Sequence, residues 1–227
     1  MLFFGPDFTL CQGLIVAFQG VEKYGVSNSV EIESMPDLLK VHLGCGPNVM
    51  PGWVNVDYNP DFNPEVVADL NEAFPFASGT VDFIHSEGCL CQFSLEAGTR
   101  FLAECFRILK PGGVMRLLTP DLRQLARRYV DGVENADNAL VDLWNREVGI
   151  ELKTNTLAEV LNIGIRDLHC FIYDEDMLAM LLLECGFEAR KVAYQQAGSV
   201  ELRGLDVRSP DDATYMYFEC RKGESRK

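Results

Sequence analysis

The sequence predicts an α/β fold: a three-layer sandwich around a mostly parallel seven-stranded sheet, with a late antiparallel strand and a helical insertion or lid. Three observations lead there. Short apolar runs alternate with segments of helical period, which is the pattern of a parallel sheet covered on both faces. The first regular run, ending Val41-His42-Leu43, passes straight into Gly44-Cys45-Gly46. Two further strand-like runs follow the last helix, so the chain closes on β structure.

Residues 1–38 read as an N-terminal extension in which Gly13, Gly20 and Gly25 punctuate short apolar runs, as hairpins or short helices would. Regular structure begins at residue 39. Residues 39–43 form a first strand, 53–56 a second ending at Asp57, 66–68 a short third, and 81–85 a fourth. A helix over 95–110 follows, because Phe101, Leu102, Cys105, Phe106 and Leu109 recur at helical spacing. Lys110 suits its last turn, and Pro111-Gly112-Gly113 stops it before a fifth strand over 114–118. Residues 121–168 are mostly helical, with Leu122, Leu125, Ala126, Tyr129 and Val130 on one stripe and a polar break at 131–138. Asp174 caps a helix that ends at Gly186. Strands near 188–194 and 213–220 complete the set. The organisation is one domain over 39–220 with an insertion at about 121–170, then a polar tail at 221–227.

Composition narrows the function classes. The 227 residues are 48% hydrophobic and carry a formal net charge of −14. A surface so acidic repels phosphate backbones, which argues against nucleic acid as a partner. Arg123, Arg127 and Arg128 read as a solvated helix face rather than a basic footprint. No apolar run approaches the roughly 20 residues of a membrane span. The first 20 residues carry Gly5, Pro6 and Asp7 and lack a basic leader, so a cytoplasmic location with reduced thiols is expected. The eight cysteines include no C-x-x-C pair. Cys89 and Cys91 alone make a poor soft-metal site, so no metal is expected.

The Gly44-Cys45-Gly46 turn carries the chemistry. Glycines let a backbone approach a ligand closely and adopt angles a Cβ forbids, and a turn leading into a helix N-terminus aims N–H groups at an anion. Ligands of open parallel sheets sit at the carboxyl ends of the strands. Asp57 ends the second strand, where a carboxylate can accept from ribose hydroxyls. Asp69-Leu70 follows the third, where an Asp accepts from an exocyclic amine and an apolar neighbour packs on an adenine ring. A nicotinamide-dependent oxidoreductase would need a third glycine, where Val49 stands, and an acid later than Asp57.

These residues, in this order, resemble the class I S-adenosylmethionine-dependent methyltransferases, of Rossmann-like fold and type 11-like. The resemblance runs through His42-Leu43-Gly44-Cys45-Gly46, Gly52-Trp53-Val54-Asn55-Val56-Asp57, Ala68-Asp69-Leu70, Phe74-Pro75-Phe76 and Val81-Asp82-Phe83-Ile84. It continues with Arg107-Ile108-Leu109-Lys110-Pro111-Gly112-Gly113 and Thr119-Pro120-Asp121-Leu122. It is strong over 39–128 and weak over 170–187, and is nearest a bacterial His-Leu-Gly-Cys-Gly subgroup. The resemblance implies S-adenosyl-L-methionine as cofactor. Gly44, Cys45 and Gly46 would wrap its methionine part, Asp57 with Tyr58 would hold the ribose, Asp69 and Leu70 the adenine, and Ser86 would line the pocket floor. Three departures stand out: His42 replaces the usual first-strand acid, Asn48 the usual third glycine, and Cys91-Gln92 a frequent Glu-His pair.

Methyl transfer needs alignment above all, and a base only when the acceptor must lose a proton. Glu87, Asp121 and His169 are the candidate catalytic groups, with Tyr173 beside them. Glu87 and Asp121 follow the ends of strands four and five, and His169 would reach over the site from the lid. Asp121 equally suits a helix cap after Pro120, while His42 and His85, inside apolar strands, read as structural. The helical insertion, with Tyr129, Trp144 and Phe171, would shape the pocket of a small-molecule, saccharide or lipid-linked acceptor. Two other readings stay open: a cofactor-binding protein of this fold without turnover, and a structural subunit docking a partner through its N-terminal segment. Homo-oligomerisation also stays open.

Overall fold

The computed structural model describes residues 38–142, 152–166, 169–210 and 214–223. Seven strands form one sheet: β1 (Lys40–Leu43), β2 (Val54–Asp57), β3 (Val66–Val67), β4 (Val81–Glu87), β5 (Leu109–Pro120), β6 (Phe187–Lys191) and β7 (Tyr215–Lys222). Their order is β3-β2-β1-β4-β5-β7-β6. The first five run parallel, and β7 is antiparallel to both β5 and β6. The order reverses between β1 and β4, which makes the carboxyl ends of those two strands the switch point where such sheets bind ligands.

One face of the sheet is apolar and carries the helices. Val54, Val41, Ile84, Met115, Cys220 and Ala189 lie in one register row across six strands. Against this face pack α1 (Leu95–Ile108) and α4 (Glu175–Glu184), through Phe101, Leu102 and Cys105 of the first and Leu178, Leu181 and Leu182 of the second. Ser94 caps α1 by accepting from the Ala97 N–H, and Asp174 caps α4 by accepting from Met177. Truncating fully buried Phe101 to alanine would remove about 3–5 kcal/mol.

The other face is different. One step along, the row reads Asn55, His42, His85, Arg116, Glu219 and Arg190, a polar residue on each of six adjacent strands. All but Arg190 are buried. Arg116 is fully buried and is held by Asp206, by the Gln196 carbonyl at 2.9 Å and by the Ala193 carbonyl at 3.1 Å. Glu219 accepts from Arg190 and from the Gly198 N–H. These bonds draw the β6–β7 connection over the sheet, where Ala197, Leu202 and Leu205 meet Met50, Trp53 and Val114. Among the described residues, this face is covered by connecting segments rather than long helices.

Two expectations are corrected. No helix follows the Gly44-Cys45-Gly46 turn: residues 45–53 are turns and loop before β2. Pro47 and Pro51 within five residues remove backbone donors and disfavour helical angles in the residues before them. The turn therefore presents its own bare backbone, without a helix terminus behind it. The α1 helix also ends at Ile108 rather than residue 110, and β5 begins at once with Leu109 paired to Val81. Pro111 and Gly112, with φ +79°, lie within an irregularity of that strand instead of stopping the helix.

The insertion contains α2 (Leu122–Glu134) and α3 (Leu157–Arg166), joined in a small core of Leu140, Val141, Leu152, Leu157 and Val160. Tyr129 packs on that core and Phe171 on the main one, so neither aromatic lines a cavity described below. Trp144 lies outside the described residues.

Candidate functional site

The turn after β1 is built by sharing. Gly44 and Cys45 both donate to the Val56 carbonyl, at 2.9 and 3.1 Å, which ties the turn to the end of β2. Gly44 and Gly46 have φ of +68° and +52°, in the left-handed region. A Cβ on Gly44 would stand 2.5 Å from the Cys89 Sγ, so the turn and the loop after β4 touch. A Cβ on Gly46 would meet nothing within 4 Å, so this backbone faces open space.

Asp57 joins the two loops. Its Oδ2 accepts from Gly46 N at 2.9 Å and its Oδ1 from Asn59 N at 2.9 Å. Each carboxylate oxygen keeps a lone pair beyond these bonds. Asp57 lines a cleft of about 260 Å³ together with Gly44, Tyr58, Asp69, Leu70 and Gln92. The Asp69 Oδ1 accepts from the Asn71 backbone at 2.9 Å and side chain at 2.8 Å, which fixes the carboxylate at the cleft. Leu70 is buried beside it. The structure thus brings Gly44, Asp57, Tyr58, Asp69 and Leu70 to one cleft. Ser86 is fully buried and is not among the residues lining that cleft.

A second cavity of about 260 Å³ opens on the polar face of the sheet. His42 and His85 line it, with Cys45, Glu87 and Arg208. The two imidazoles stand edge to face, with centroids 5.1 Å apart. His42 Nδ1 lies 3.2 Å from the Asn55 Oδ1, while neither ring nitrogen of His85 has a hydrogen-bond partner among the described residues. Burial lowers both imidazole pKa values, to about 4 for His42 and about 3 for His85, so both rings are neutral.

The three candidate catalytic groups fall in different places. Glu87 lines the second cavity, but its carboxylate accepts from Val207 N at 3.0 Å and Arg208 N at 2.6 Å, and the Arg208 guanidinium lies 3.6 Å away. Asp121 is buried and caps α2 through Arg123 N, with Gln124 Nε2 on its other oxygen. His169 points Nδ1 at the Gly164 carbonyl, 2.6 Å away, and lines neither cavity. The Tyr173 phenol is buried in the main core.

The thiols around the turn, Cys45, Cys89 and Cys91, are held protonated. Burial pushes Cys45 up to about 11 and Cys91 up to about 12, and raises Cys89 further. Among the described residues, no group of three His, Cys, Asp or Glu side chains is placed to hold a metal ion. No helix among them is long and apolar enough to cross a membrane. Sequence reading passed over the second cavity and the Arg116–Asp206 anchor. The available signal was one polar residue in the middle of each apolar strand, in Val-His-Leu, Val-Asn-Val, Ile-His-Ser, Met-Arg-Leu and Phe-Glu-Cys.

A methyltransferase domain family model matches residues 23–117. No curated protein is matched by the sequence. Similar solved structures include an S-adenosylmethionine-dependent methyltransferase from Methanosarcina mazei, at 16% identity over 82% of this chain and 92% of that one, with a TM-score of 0.49. Another, from Archaeoglobus fulgidus, shows 13% identity over 82% and 87% of the two chains, with a TM-score of 0.48. The strand order, with its antiparallel β7, is that of a Rossmann-like methyltransferase fold. With the methyltransferase-domain match over residues 23–117, it supports a methyltransferase enzyme with S-adenosylmethionine as cofactor.

Proposed function

We propose that the chain transfers a methyl group from S-adenosylmethionine to a small-molecule, saccharide or lipid-linked acceptor, with the cofactor in the cleft at the ends of β1, β2 and β4. The observation that carries this is the Gly46–Asp57 bond. It sets a bare glycine turn and the carboxylate ending β2 side by side, with Asp69 and Leu70 on the same cleft.

Within that reading, Gly44, Cys45 and Gly46 hold the methionine part by backbone contact. Asp57 uses its remaining lone pairs for ribose hydroxyls, beside Tyr58. Asp69 keeps Oδ2 for an exocyclic amine, and Leu70 packs against the adenine. When bound, the cofactor supplies a methyl carbon on a cationic sulfur, open to in-line displacement. The protein contributes alignment and exclusion of water, and such positioning supplies several kcal/mol. Neutral thiols around the turn offer no competing nucleophile.

Glu87, Asp121 and His169 each already serve a backbone or a cap. That favours an acceptor methylated through positioning rather than through deprotonation by one of these groups. It also keeps alive a second reading, binding without turnover, which the buried Cys91 and the Gln92 beside it favour.

The test is calorimetric titration with S-adenosylmethionine and S-adenosylhomocysteine. Micromolar binding is expected, weakened at least about tenfold, or roughly 1.4 kcal/mol, in Asp57→Ala. No binding to folded protein at millimolar ligand would overturn the site assignment. Formation of S-adenosylhomocysteine with any acceptor, against tight binding with none, separates the two readings.

A further inference from the structure

Of the residues in the cofactor reading only Cys45 borders the cavity on the polar face, and the chemistry of the rest is unusual for the interior of a sheet. Its floor is the His42–His85 pair. His85 is 1% exposed and borders this space with both ring nitrogens unpartnered among the described residues. A buried polar group without a partner carries a desolvation penalty, and a ligand that hydrogen-bonds to it recovers that penalty.

The cavity also lies beside the cofactor cleft. Two adjacent residue pairs divide it from the cofactor cleft: Gly44 and Gly88 line the cleft, Cys45 and Glu87 the cavity. Molecules in the two spaces therefore flank the same two strand ends, β1 and β4. The outer wall is the β6–β7 connection, through Leu205 and Val207, held down by Glu87 and by the Arg116–Asp206 anchor.

The charges of the cavity cancel. Glu87 and Arg208 face each other at 3.6 Å, and Glu87 also accepts two backbone N–H groups. The remaining polar side chains are neutral, the two imidazoles, the Cys45 thiol and Asn48, set among Val49, Met50 and Leu205. Such a site has no unmatched charge to offer an ion, and an ion entering it would lose its hydration without return. A hydroxyl suits it, because it both donates and accepts and so serves His85 in either tautomer.

Resting on the cofactor reading above, we propose that this cavity is the acceptor chamber, and that it takes an uncharged, hydroxyl-bearing small molecule, or the uncharged hydroxyl-bearing end of a larger one, with His85 as its positioning residue. His85 orients the acceptor by hydrogen bonding.

The test uses the full chain saturated with S-adenosylhomocysteine and three probes of one size: benzyl alcohol, benzoate and benzylammonium. Ring nitrogen resonances of labelled histidine report on His85. Benzyl alcohol is expected to shift the His85 signals and to bind at least about tenfold more tightly than either ion, a difference of roughly 1.4 kcal/mol. His85→Phe should abolish its binding while leaving the affinity for S-adenosylhomocysteine within about twofold. Leu205→Trp, which fills the chamber from its outer wall, should block the His85 shift with the histidine still present, covering the case that His85→Phe does not fold. Equal or tighter binding of either ion, no binding of benzyl alcohol, or a shift unaffected by Leu205→Trp would each overturn the proposal. So would a His85→Phe protein that loses S-adenosylhomocysteine but keeps 5′-methylthioadenosine, since the chamber would then hold the amino-acid end of the cofactor. Failure of the cofactor reading itself shows separately, as absent S-adenosylhomocysteine binding in the unmodified protein.

Discussion

Replacing Asp206 with leucine isolates the anchor of the polar face. Arg116 is fully buried, and Asp206 takes up its Nε and one Nη. The Gln196 and Ala193 carbonyls satisfy only part of what remains. Removing the carboxylate leaves a guanidinium in the interior without its counter-charge, which costs about 3–5 kcal/mol. Gln195 N also loses its acceptor, Asp206 Oδ2. For a chain of this length 1 kcal/mol moves the melting temperature by about 2–4 °C, so the fall should be about 6–20 °C. Thermal unfolding followed by circular dichroism measures it, and urea unfolding gives the free-energy loss. The double variant Arg116→Met, Asp206→Leu removes both charges and should recover most of the loss, because an apolar pair of similar volume replaces a buried ion pair at little cost. A single variant within about 1 kcal/mol of the parent, or a double variant no better than the single, would refute the claim that an uncompensated charge is what destabilises.

Two other perturbations address the site. Gly44→Ala places a Cβ 2.5 Å from the Cys89 Sγ at a φ of +68°. Strain of about 1–2 kcal/mol and overpacking of about 1–3 kcal/mol should reduce stability together, and S-adenosylhomocysteine titration of the still-folded fraction should show weakened binding. Acid should destabilise the fold through its histidines. His42 and His85 have folded pKa values of about 4 and about 3 against 6.5 in the unfolded chain, so below pH 6.5 the unfolded state binds more protons and stability falls with pH. Each should contribute about 2 kcal/mol of loss between pH 7 and pH 5. Glu65, Glu104 and Glu219, held below 4.5, lose their contribution only at lower pH. Urea midpoints for His42→Gln at the two pH values should show a smaller difference than the parent; an equal difference would contradict the assignment.

What could be read from the chain was what is local. Val41 to Leu43, Val54 to Val56 and the cap at Asp174 announce themselves within a few residues, and the glycine turn with Asp57 and Asp69 marks one strand edge. The missing helix after Gly46 was also local, since Pro47 and Pro51 speak against it, but the motif context suggested otherwise. The second cavity was not legible, because its walls come from β1, β4 and a connection near residue 205. The bond that holds that wall joins residues 90 apart, Arg116 and Asp206. Glu87 shows the same limit: its place at a strand end was visible, while the amides of Val207 and Arg208 that occupy it were not.

The polar row across the sheet has a consequence for how the strands find one another. Along each strand, neighbours alternate between the helix-covered face and the row that holds Asn55, His42, His85, Arg116 and Glu219. Were any one strand to pair a single residue out of step, its imidazole, amide, guanidinium or carboxylate would turn into the hydrocarbon layer beneath α1 and α4. A sheet of uniformly apolar strands would tolerate that slip far better. The row thus acts as an alignment mark read during assembly, and the same side chains that furnish the chamber also select the pairing that creates it.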